Sequence, residues 1–373
     1  MNKDNASSLR VAIIGCGRVS VKHIKAIRKL FPLLTLCALV DTQEGAGERL
    51  LESTQASREG VSFYSDYHIM LTEQKPDIVA ITVPSGLHHT IAIDCLRCGA
   101  HLLLEKPMTM THNSAHELYT IATETNRKIA MGHIYRYFPI VSTLHEDIAA
   151  GVFGKLSSGS VIVRWGHDES YYGTAAWRGT WKSDGGALMN QSIHALDLAA
   201  YLMNADAVAV TGKIAKRFRA IEAEDTAMGV FSMNDGSLCQ IEGTTATDPK
   251  DHEASFFING ENGSIRISLR KNKPHLSIVN AKGKSQTFRY IRRFIREKGL
   301  GFTINSAKNQ HFAIYADLVN SIQSGKEPIA DAKSGYTAVD MVLGLYKSAL
   351  EERTISLPLT DDFSSSDMQK YTF

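Results

Sequence analysis

The strongest constraint on the fold is a pattern that repeats through the first 135 residues. Residues 10–15 form a short, mostly aliphatic run, which is followed by two glycines and then by residues 19–30, whose apolar positions have helical spacing. The same order, an apolar run and then a helical stretch, recurs at residues 35–40, 77–83 and 100–104. Continuously apolar strands that alternate with helices are typical of a parallel sheet covered on both faces. We therefore predict a doubly wound α/β domain over residues 1–135.

After about residue 135 the pattern changes to strand-like stretches that follow one another directly. Four of them, with turn signals such as Asn234-Asp235-Gly236 between them, lie at residues 158–165, 207–214, 227–232 and 237–243. Helical patterns occupy residues 186–203, 309–324 and 334–351. These features predict a second, α+β domain over residues 136–373, with a large, mostly antiparallel open sheet. The polar tail at residues 360–373 is predicted to be loose.

Composition argues against several classes of function. The chain of 373 residues has 41 lysines and arginines and 39 acidic residues, so its formal charge of +2 favours neither nucleic acid nor a membrane as the main partner. It begins with a polar stretch and contains no uninterrupted apolar run of about 18 residues, which argues against a signal peptide and a membrane span. We therefore expect a cytoplasmic protein.

The cysteines and histidines give no clear metal signature. The five cysteines include one Cys95-x-x-Cys98 pair, which fits buried reduced thiols of a helix better than a disulfide framework or a zinc ribbon, because a ribbon needs a second pair. His88 and His89 are adjacent in the sequence, and adjacent side chains diverge on a helix. We expect no metal site.

A glycine-containing turn after the first apolar run predicts a dinucleotide site. Gly15 suits a tight turn, and Gly17 lets the backbone approach a pyrophosphate. The pyrophosphate would rest on the N-terminus of the helix that starts near Val19. Ser20, a small residue, occupies the third glycine position of the usual pattern.

An acidic residue at the end of the second strand bears on which dinucleotide binds. Asp41 is placed where a carboxylate accepts hydrogen bonds from the ribose hydroxyls of the adenosine. Its charge would repel a 2′-phosphate, so NAD is favoured and NADP is the weaker alternative. Two observations leave room for other interpretations: Arg18 could reach a phosphate or sit over the adenine, and Asp41 could be a helix N-cap.

Three further motifs lie where parallel strands end, at the edge of the sheet that faces a ligand crevice. They are Val83-Pro84-Ser85, Glu105-Lys106-Pro107 and Gly132-His133. Together with the glycine turn, they resemble the Gfo/Idh/MocA family of sugar and cyclitol oxidoreductases, and the resemblance covers nearly the whole chain. It implies a Rossmann fold for the first domain and an NAD-dependent sugar dehydrogenase activity.

A fourth motif lies in the second domain. Residues 185–197 resemble the family's helix that bears an acidic or amide residue and, four positions later, a catalytic histidine, so Asn190 and His194 would share one face. Many members have Asp in place of Asn190, and this departure removes a carboxylate from the site. Residues 177–181, together with Asn190 and Gln191, are similar to a branch that oxidises the 3-hydroxyl of UDP-N-acetylglucosaminuronate for surface polysaccharide.

The resemblance implies roles for these residues. Lys106 and His194 are the catalytic pair: one takes the hydroxyl proton and the other binds the same hydroxyl, and the sequence leaves open which does which. On the cofactor side we expect Gly15, Gly17, Arg18, Val19, Asp41, Pro84, Ser85, His88, Glu105 and Lys106. Around the substrate we expect Lys106, Arg178, Asn190 and His194. A homodimer or homotetramer is usual in the family and is expected here.

The sequence leaves other functions open. They are a dehydrogenase of a free sugar or inositol, a non-catalytic NAD-binding regulator, and an enzyme that cleaves glycosides through transient oxidation by NAD. A dense basic segment at residues 289–298 also has two interpretations. It is either a site for the phosphates of a nucleotide-linked substrate or a solvated helix face.

Overall fold

The structure, a computed structural model, describes residues 8–271 and 273–373. Its first sheet has six parallel strands, β1 (Leu9–Ile14), β2 (Leu34–Val40), β3 (Ser62–Tyr64), β4 (Ile78–Ile81), β5 (His101–Leu104) and β6 (Ile129–Met131). Their spatial order is β3-β2-β1-β4-β5-β6. Because the order reverses direction between β1 and β4, the ligand crevice is expected at the carboxyl ends of these two strands. The predicted Rossmann sheet is confirmed.

Five helices connect these strands and cover both faces of the sheet. They are α1 (Ser20–Lys29), α2 (Ala46–Thr54), α3 (Tyr67–Gln74), α4 (His88–Arg97) and α5 (His112–Glu124). The central strands are buried on both faces, which explains why their sequences are continuously apolar and do not alternate. Each strand therefore ends at a polar or glycine-containing turn on the same edge, and these turns supply the residues of the first domain's site.

The second sheet has eight strands in the order β13-β12-β11-β7-β10-β9-β8-β14. They are β7 (Leu156–Arg164), β8 (Ala207–Ala215), β9 (Thr226–Met233), β10 (Leu238–Thr244), β11 (Glu253–Gly260), β12 (Gly263–Arg270), β13 (Lys273–Asn280) and β14 (Ile355–Ser356). All neighbouring pairs are antiparallel except β7 and β10, which run parallel. The expected mostly antiparallel open sheet is confirmed.

The other helices of the described residues follow the first sheet in the chain. They are α6 (Val141–Ala149), α7 (Glu169–Tyr172), α8 (Ile193–Met203), α9 (Thr287–Lys298), α10 (Leu300–Lys308), α11 (Gln310–Ser324) and α12 (Ala332–Glu351). Helix α8 packs on β7, α12 packs on both β8 and α5, and α11 packs on α1. The C-terminal helices therefore contact elements of both sheets. The domain boundary at residue 135 stays a prediction.

The C-terminal tail differs from the prediction that it is loose. Phe363 and Met368 are buried, and Ser365 Oγ donates a hydrogen bond of 2.6 Å to the carbonyl oxygen of Trp181. Residues 365–370 form a 3₁₀ helix, which a reciprocal pair of side-chain hydrogen bonds between Ser364 and Asp367 caps. The tail is ordered because its few apolar side chains reach the core, although the segment as a whole is polar.

Two smaller expectations also have outcomes. Cys95 is buried as predicted, but Cys98 is exposed, because it follows the last residue of α4 and points away from the core. Strands β11–β13 and helix α10 were not predicted, and for β12 and β13 the reason is that they mix polar with apolar residues on both faces. Among the described residues, no helix has both the length and the apolar composition that crossing a bilayer requires.

Candidate active site

The turn after β1 has the shape of an anion-binding loop. Gly15 has φ = 95°, and a Cβ there would lie 2.9 Å from the backbone of Thr82, so only glycine fits. At Gly17 a Cβ would meet nothing within 4 Å, so the turn is open at this point. Ser20 is buried and donates its Oγ to the carbonyl oxygen of Gly15 at 2.7 Å. No side chain of the described residues caps α1, whose N-cap residue is Val19, so its first N–H groups are suited to a pyrophosphate.

Asp41 is fixed beside this turn by two backbone hydrogen bonds. Its Oδ2 accepts from the N–H of Cys16 at 2.7 Å, and its Oδ1 accepts from the N–H of Gln43 at 2.8 Å. The alternative that Asp41 is a helix N-cap is wrong, because α2 begins five residues later with Gly45 as its N-cap. Arg18 is exposed. The contact of this carboxylate with the adenosine ribose stays a prediction.

The turn after β4 is tied to the turn after β5 by a histidine. Residues 85–87 form a 3₁₀ turn after Pro84, and α4 starts at His88. The ring nitrogens of His88 lie 2.8 Å from the carbonyl oxygen of Pro107 and 3.0 Å from that of Val83. Burial lowers the pKa of His88. Because both ring nitrogens face carbonyl groups of the chain, His88 supports the shape of the crevice, and its contact with a cofactor stays a prediction.

Lys106 lies in the turn after β5, and it is in direct contact with Asn190, which lies in the turn before α8. Lys106 Nζ donates to the backbone oxygen of Asn190 at 2.6 Å and to its Oδ1 at 2.9 Å. The amide Nδ2 of Asn190 donates in turn to Oδ1 of Asp184, whose Oδ2 accepts from the N–H of Gly179 at 2.8 Å. Burial lowers the pKa of Lys106 and raises that of Asp184. Sequence reasoning missed Asp184, although it directly precedes the glycine pair of the fourth motif.

The backbone before α8 brings these side chains together. Residues 187–192 form a π-helical turn, so the expectation of a continuous α-helix from residue 186 is wrong for its first part. Gly185 has φ = 70°, and a Cβ at Gly186 would lie 2.0 Å from the carbonyl oxygen of Glu224. The chain therefore needs both glycines to turn here. Such π-helical turns are often found at functional sites, where they redirect a side chain.

His194 lies in the first turn of α8 and is close to Lys106. Burial, followed by the positive charge of Lys106, holds the pKa of His194 well below its usual range. Its Nδ1 is buried, and no described protein group lies within hydrogen-bond distance of it. The rings of His133 and Tyr135 lie 6.1 Å and 5.3 Å from the His194 ring, between centroids. The imidazole is therefore neutral near pH 7 and able to accept a proton.

Glu105 belongs to a buried cluster with two histidines that the sequence did not suggest. Its Oε1 is 3.1 Å from His23 Nε2 and 2.8 Å from His311 Nε2. Burial raises the pKa of Glu105, but these hydrogen bonds outweigh burial and hold it well below its usual range. Gly132 makes room for the carboxylate, because a Cβ there would lie 2.7 Å from Glu105 Oε2.

The same three residues form the one group, within the described ranges, whose ligand atoms are close enough for a metal. The distances from Glu105 Oε1 to His23 Nε2 and to His311 Nε2 are those of hydrogen bonds from N–H groups to a carboxylate, so the three side chains are in contact without a metal. The expectation of no metal site therefore stays a prediction, as does the contact of Glu105 with the nicotinamide ribose.

Arg178 lies in an aromatic loop next to Asp184. Its guanidinium carbon is 4.3 Å from the ring centroid of Tyr171 and 4.8 Å from that of Trp177. Its Nη1 donates to the hydroxyl of Tyr171 at 2.6 Å, and its Nε donates to the hydroxyl of Thr174 at 2.9 Å. Arg178 is half-buried, and its charge is close enough to oppose the protonation of Lys106. The aromatic rings and hydroxyl groups of this loop thus hold a cation whose charge acts on Lys106.

Two models of protein families match this chain. The NAD-binding Rossmann domain of the oxidoreductase family Gfo/Idh/MocA matches residues 9–133, and a Gfo/Idh/MocA C-terminal domain matches residues 141–266. The chain belongs to the Gfo/Idh/MocA family. It is accordingly an NAD-dependent oxidoreductase that acts on CH–OH groups.

Relatives within this family act on several kinds of polyol. The chain is 26% identical over 358 residues to D-glucoside 3-dehydrogenase of Escherichia coli, covering 92% of this chain and 96% of the relative. It is 26% identical over 332 residues to scyllo-inositol 2-dehydrogenase (NAD(+)) of Bacillus subtilis, covering 86% and 88%. A crystal structure of the WlbA dehydrogenase from Chromobacterium violaceum, in complex with NADH and UDP-GlcNAcA, superposes with a TM-score of 0.81 at 28% identity, covering 96% of this chain and 98% of that one.

The described residues fit the family's NAD. The open turn at Gly17, the uncapped N-terminus of α1 and the fixed carboxylate of Asp41 would hold the pyrophosphate and the adenosine ribose. Bound NAD supplies the acceptor for a hydride. The roles of Lys106 and His194, one binding the hydroxyl and the other taking its proton, stay predictions.

The basic segment at residues 289–298 lies outside this site. It forms α9, which packs on α6, α10 and β13, and none of these elements contains a residue of the candidate site. Arg293 is tied to Asp147, Glu146 and Glu297. The other arginines of α9 are exposed. The structure therefore favours the solvated helix face over a phosphate site for the substrate.

Proposed function

We propose that this dehydrogenase oxidises a secondary hydroxyl, at C3, of a UDP-linked N-acetylated hexose or hexuronate with NAD, in the biosynthesis of surface polysaccharide. The observation that carries this proposal is the similarity, over 96% of the chain, to the WlbA dehydrogenase that binds NADH and UDP-GlcNAcA. The site adds support, because the half-buried cation Arg178 lies beside the Lys106 site. A planar guanidinium suits the carboxylate of a hexuronate or a phosphate.

The proposed chemistry assigns one proton and one hydride. Oxidation breaks the O–H bond, whose proton goes to a residue of the chain, and the C3–H bond, whose hydride would go to NAD, and it leaves a C=O group at C3. In one assignment the neutral His194 takes the proton, while the Lys106 ammonium donates a hydrogen bond to the oxygen and stabilises its developing negative charge. In the other assignment the roles are exchanged, and a desolvated, neutral Lys106 is the base. Asn190 fixes Lys106 Nζ in either case.

The second candidate is a dehydrogenase of a free glucoside or inositol. The D-glucoside and scyllo-inositol relatives favour it, since each covers most of this chain at an identity close to that of the WlbA enzyme. A non-catalytic regulator is disfavoured, because Lys106 and His194 are both present and lie close together.

Substrate preference can be tested by comparing kcat/KM with NAD for four compounds: UDP-N-acetylglucosaminuronate, UDP-N-acetylglucosamine, glucose and inositol. We expect the UDP-linked uronate to exceed both unphosphorylated compounds at least about tenfold, because one charge-assisted hydrogen bond to Arg178 contributes roughly 1.5 to 3 kcal/mol. Arg178→Lys should reduce this advantage, while Lys182→Ala, an exposed cation in the same loop, should not. A clear preference for glucose or inositol would contradict the nucleotide-sugar proposal and leave the dehydrogenase assignment intact.

We also infer that the chain self-associates through the outer face of the second sheet. Helices cover one face, where α8 and α12 pack, whereas Met228, Val230 and Leu238 are 53%, 44% and 49% exposed on the other. Exposed apolar side chains grouped on one sheet face favour pairing with a second copy. Light scattering at micromolar concentration should report a dimer or tetramer, and M228K/V230K should report a smaller species. Phe218→Ser, which changes an exposed apolar residue in a loop, is the control, and a monomeric wild type would refute the inference.

A further inference from the structure

We propose that Asp184 is a positioning residue that supplies the negative charge for the Lys106 ammonium through the side-chain amide of Asn190. The inference deepens the proposed function, on whose reaction it rests. It is also a correction to the expectation that Asn190 leaves this part of the site without a carboxylate. Here the carboxylate lies one side chain farther from Lys106, at a residue six positions earlier in the chain.

The contacts form an uninterrupted series from the carboxylate to the amine. Asn190 can accept only through its Oδ1 and donate only through its Nδ2, so the contact with Lys106 fixes which end of the amide faces Asp184. Asp184 is held in turn by the N–H of Gly179 at 2.8 Å. Both carboxylate oxygens of Asp184 are therefore occupied, and the amide dipole points its oxygen at the ammonium.

Asp184 is buried, so its charge needs a compensating partner. Asp184 is 3% exposed, and an uncompensated carboxylate at that depth would be costly. Its charge raises the pKa of Lys106 and so opposes the lowering by burial. Glu105 is the other carboxylate near Lys106, but its Oε1 faces His23 and His311. Asp184 is thus the carboxylate that is hydrogen-bonded, through one amide, to the amine.

The other charges around the pair come from several elements. The groups whose charges act on Lys106 are Asp184, Glu105 and Arg178. The histidines on which the charge of Lys106 acts are His88, His133 and His194. The groups that face Asp184, besides Lys106 and Arg178, are the phenols of Tyr171 and Tyr172. If the charge of Asp184 is removed, Arg178 still opposes the protonation of Lys106, and of the two carboxylates only Glu105 still favours it.

The test uses three variants whose hydrogen bonds differ in a defined way. In Asp184→Asn the negative charge is lost at nearly constant shape. In Asn190→Asp two carboxylates face each other. In the double variant D184N/N190D the carboxylate is at position 190, next to Lys106. The amide introduced at position 184 can donate through its nitrogen to this carboxylate, and its oxygen can still accept from the N–H of Gly179. The double variant therefore satisfies every contact that the wild type satisfies.

The main measurement does not depend on turnover. The pH midpoint of Lys106 is read from the rate of its acetylation by acetic anhydride, followed by mass spectrometry of the Lys106 peptide, with the whole chain and NAD present. We expect Asp184→Asn to lower this midpoint by about one pH unit, since an ammonium loses a nearby opposite charge. We expect D184N/N190D to return it at least to the wild-type value.

Turnover is the second measurement. With the preferred sugar, Asp184→Asn should lower kcat about tenfold with little change in NAD affinity, and the double variant should recover kcat to within about threefold of the wild type. Glu224→Gln is the matched control. Glu224 is also buried beside the π-helical turn, where it accepts from the N–H of Leu188 and the hydroxyl of Tyr346, and among the described contacts it has no hydrogen bond to Lys106 or Asn190. Its variant should leave the Lys106 midpoint unchanged.

Two results would overturn the proposal. One is an unchanged midpoint in Asp184→Asn, and the other is a lowered midpoint that D184N/N190D does not restore, which would indicate a purely structural role. Failure of every sugar to be oxidised would count against the proposed function, whereas the acetylation midpoints would still decide the role of Asp184.

Discussion

Replacing Lys106 or His194 with alanine is expected to lower kcat at least about a hundredfold and, although Lys106 is also expected on the cofactor side, to change NAD affinity far less. Both side chains are placed to act on the reacting hydroxyl, where a positioned acid or base contributes about 10² to 10⁴ in rate. NAD would be held by the turn at Gly15 and Gly17, after β1, and by the carboxylate of Asp41, after β2. Neither alanine substitution changes these groups. Steady-state kinetics and NAD titrations by fluorescence would give the two quantities separately.

The pH dependence of kcat/KM for oxidation distinguishes the two possible bases. The pKa of His194 is well below its usual range, and the unprotonated form that accepts a proton is populated above the pKa. If His194 is the base, the rate stays constant as pH falls from 8 through about 6. Burial also lowers the pKa of Lys106. If the neutral Lys106 amine is the base, the rate instead rises with pH through the neutral to alkaline range.

Two further substitutions test whether the loss of any lysine charge or of any imidazole would lower kcat. Lys182→Ala removes an exposed lysine two residues before Asp184, and His89→Ala removes a histidine that is paired with Glu117 at the surface of α4. Both should retain nearly full kcat. Near-normal turnover in the alanine variant of Lys106 or of His194 would exclude that residue from the mechanism.

Asp41→Asn is expected to weaken NAD binding about tenfold or more and to narrow the preference for NAD over NADP. The neutral amide accepts ribose hydroxyls less strongly than a carboxylate, by roughly 1 to 2 kcal/mol, and it no longer repels a 2′-phosphate. The carboxylate also accepts from the N–H groups of Cys16 and Gln43, so its loss loosens the turn that faces the pyrophosphate. Exposed Arg18, on the same turn, could then favour NADP.

This expectation is checked by measuring the dissociation constants of NAD and NADP, with the same titration, for the wild type and for Asp41→Asn. Glu44→Gln is the control, because it removes an exposed acidic charge three residues away that is not bonded to the glycine turn. Its dissociation constants should match those of the wild type. A wild type that binds NADP more tightly than NAD would contradict the role of Asp41.

The first sheet was predictable because its signals are local. A strand buried on both faces must be apolar throughout, so β1, β2, β4 and β5 are visible as aliphatic runs without any knowledge of their neighbours. The edge strands of the second sheet give no such signal. β13 has exposed residues at its start and is identified by its pairing with β12, which is a long-range property.

The site was predictable in part for the same reason. Lys106 and His194 were predicted as catalytic residues because each lies in a short motif that resembles a known family. Asp184 was missed, because its relation to Lys106 depends on the π-helical turn at residues 187–192 and on the amide of Asn190 between them. The cluster of Glu105 with His23 and His311 was missed because its members come from three distant parts of the chain.

By itself, the sequence determined the Rossmann sheet and the family, since their signals lie within short strand-to-turn and turn-to-helix segments. It also predicted the dinucleotide turn and the catalytic roles of Lys106 and His194, each from a local motif. Only the tertiary structure decided how the buried charges are matched: Asp184 with Lys106 through Asn190, and Glu105 with two histidines. It also decided that the polar tail is ordered and that α9 lies apart from the site. The physical reason is that electrostatic and packing energies depend on distance in space, and the local pattern of the sequence does not fix distances between remote segments.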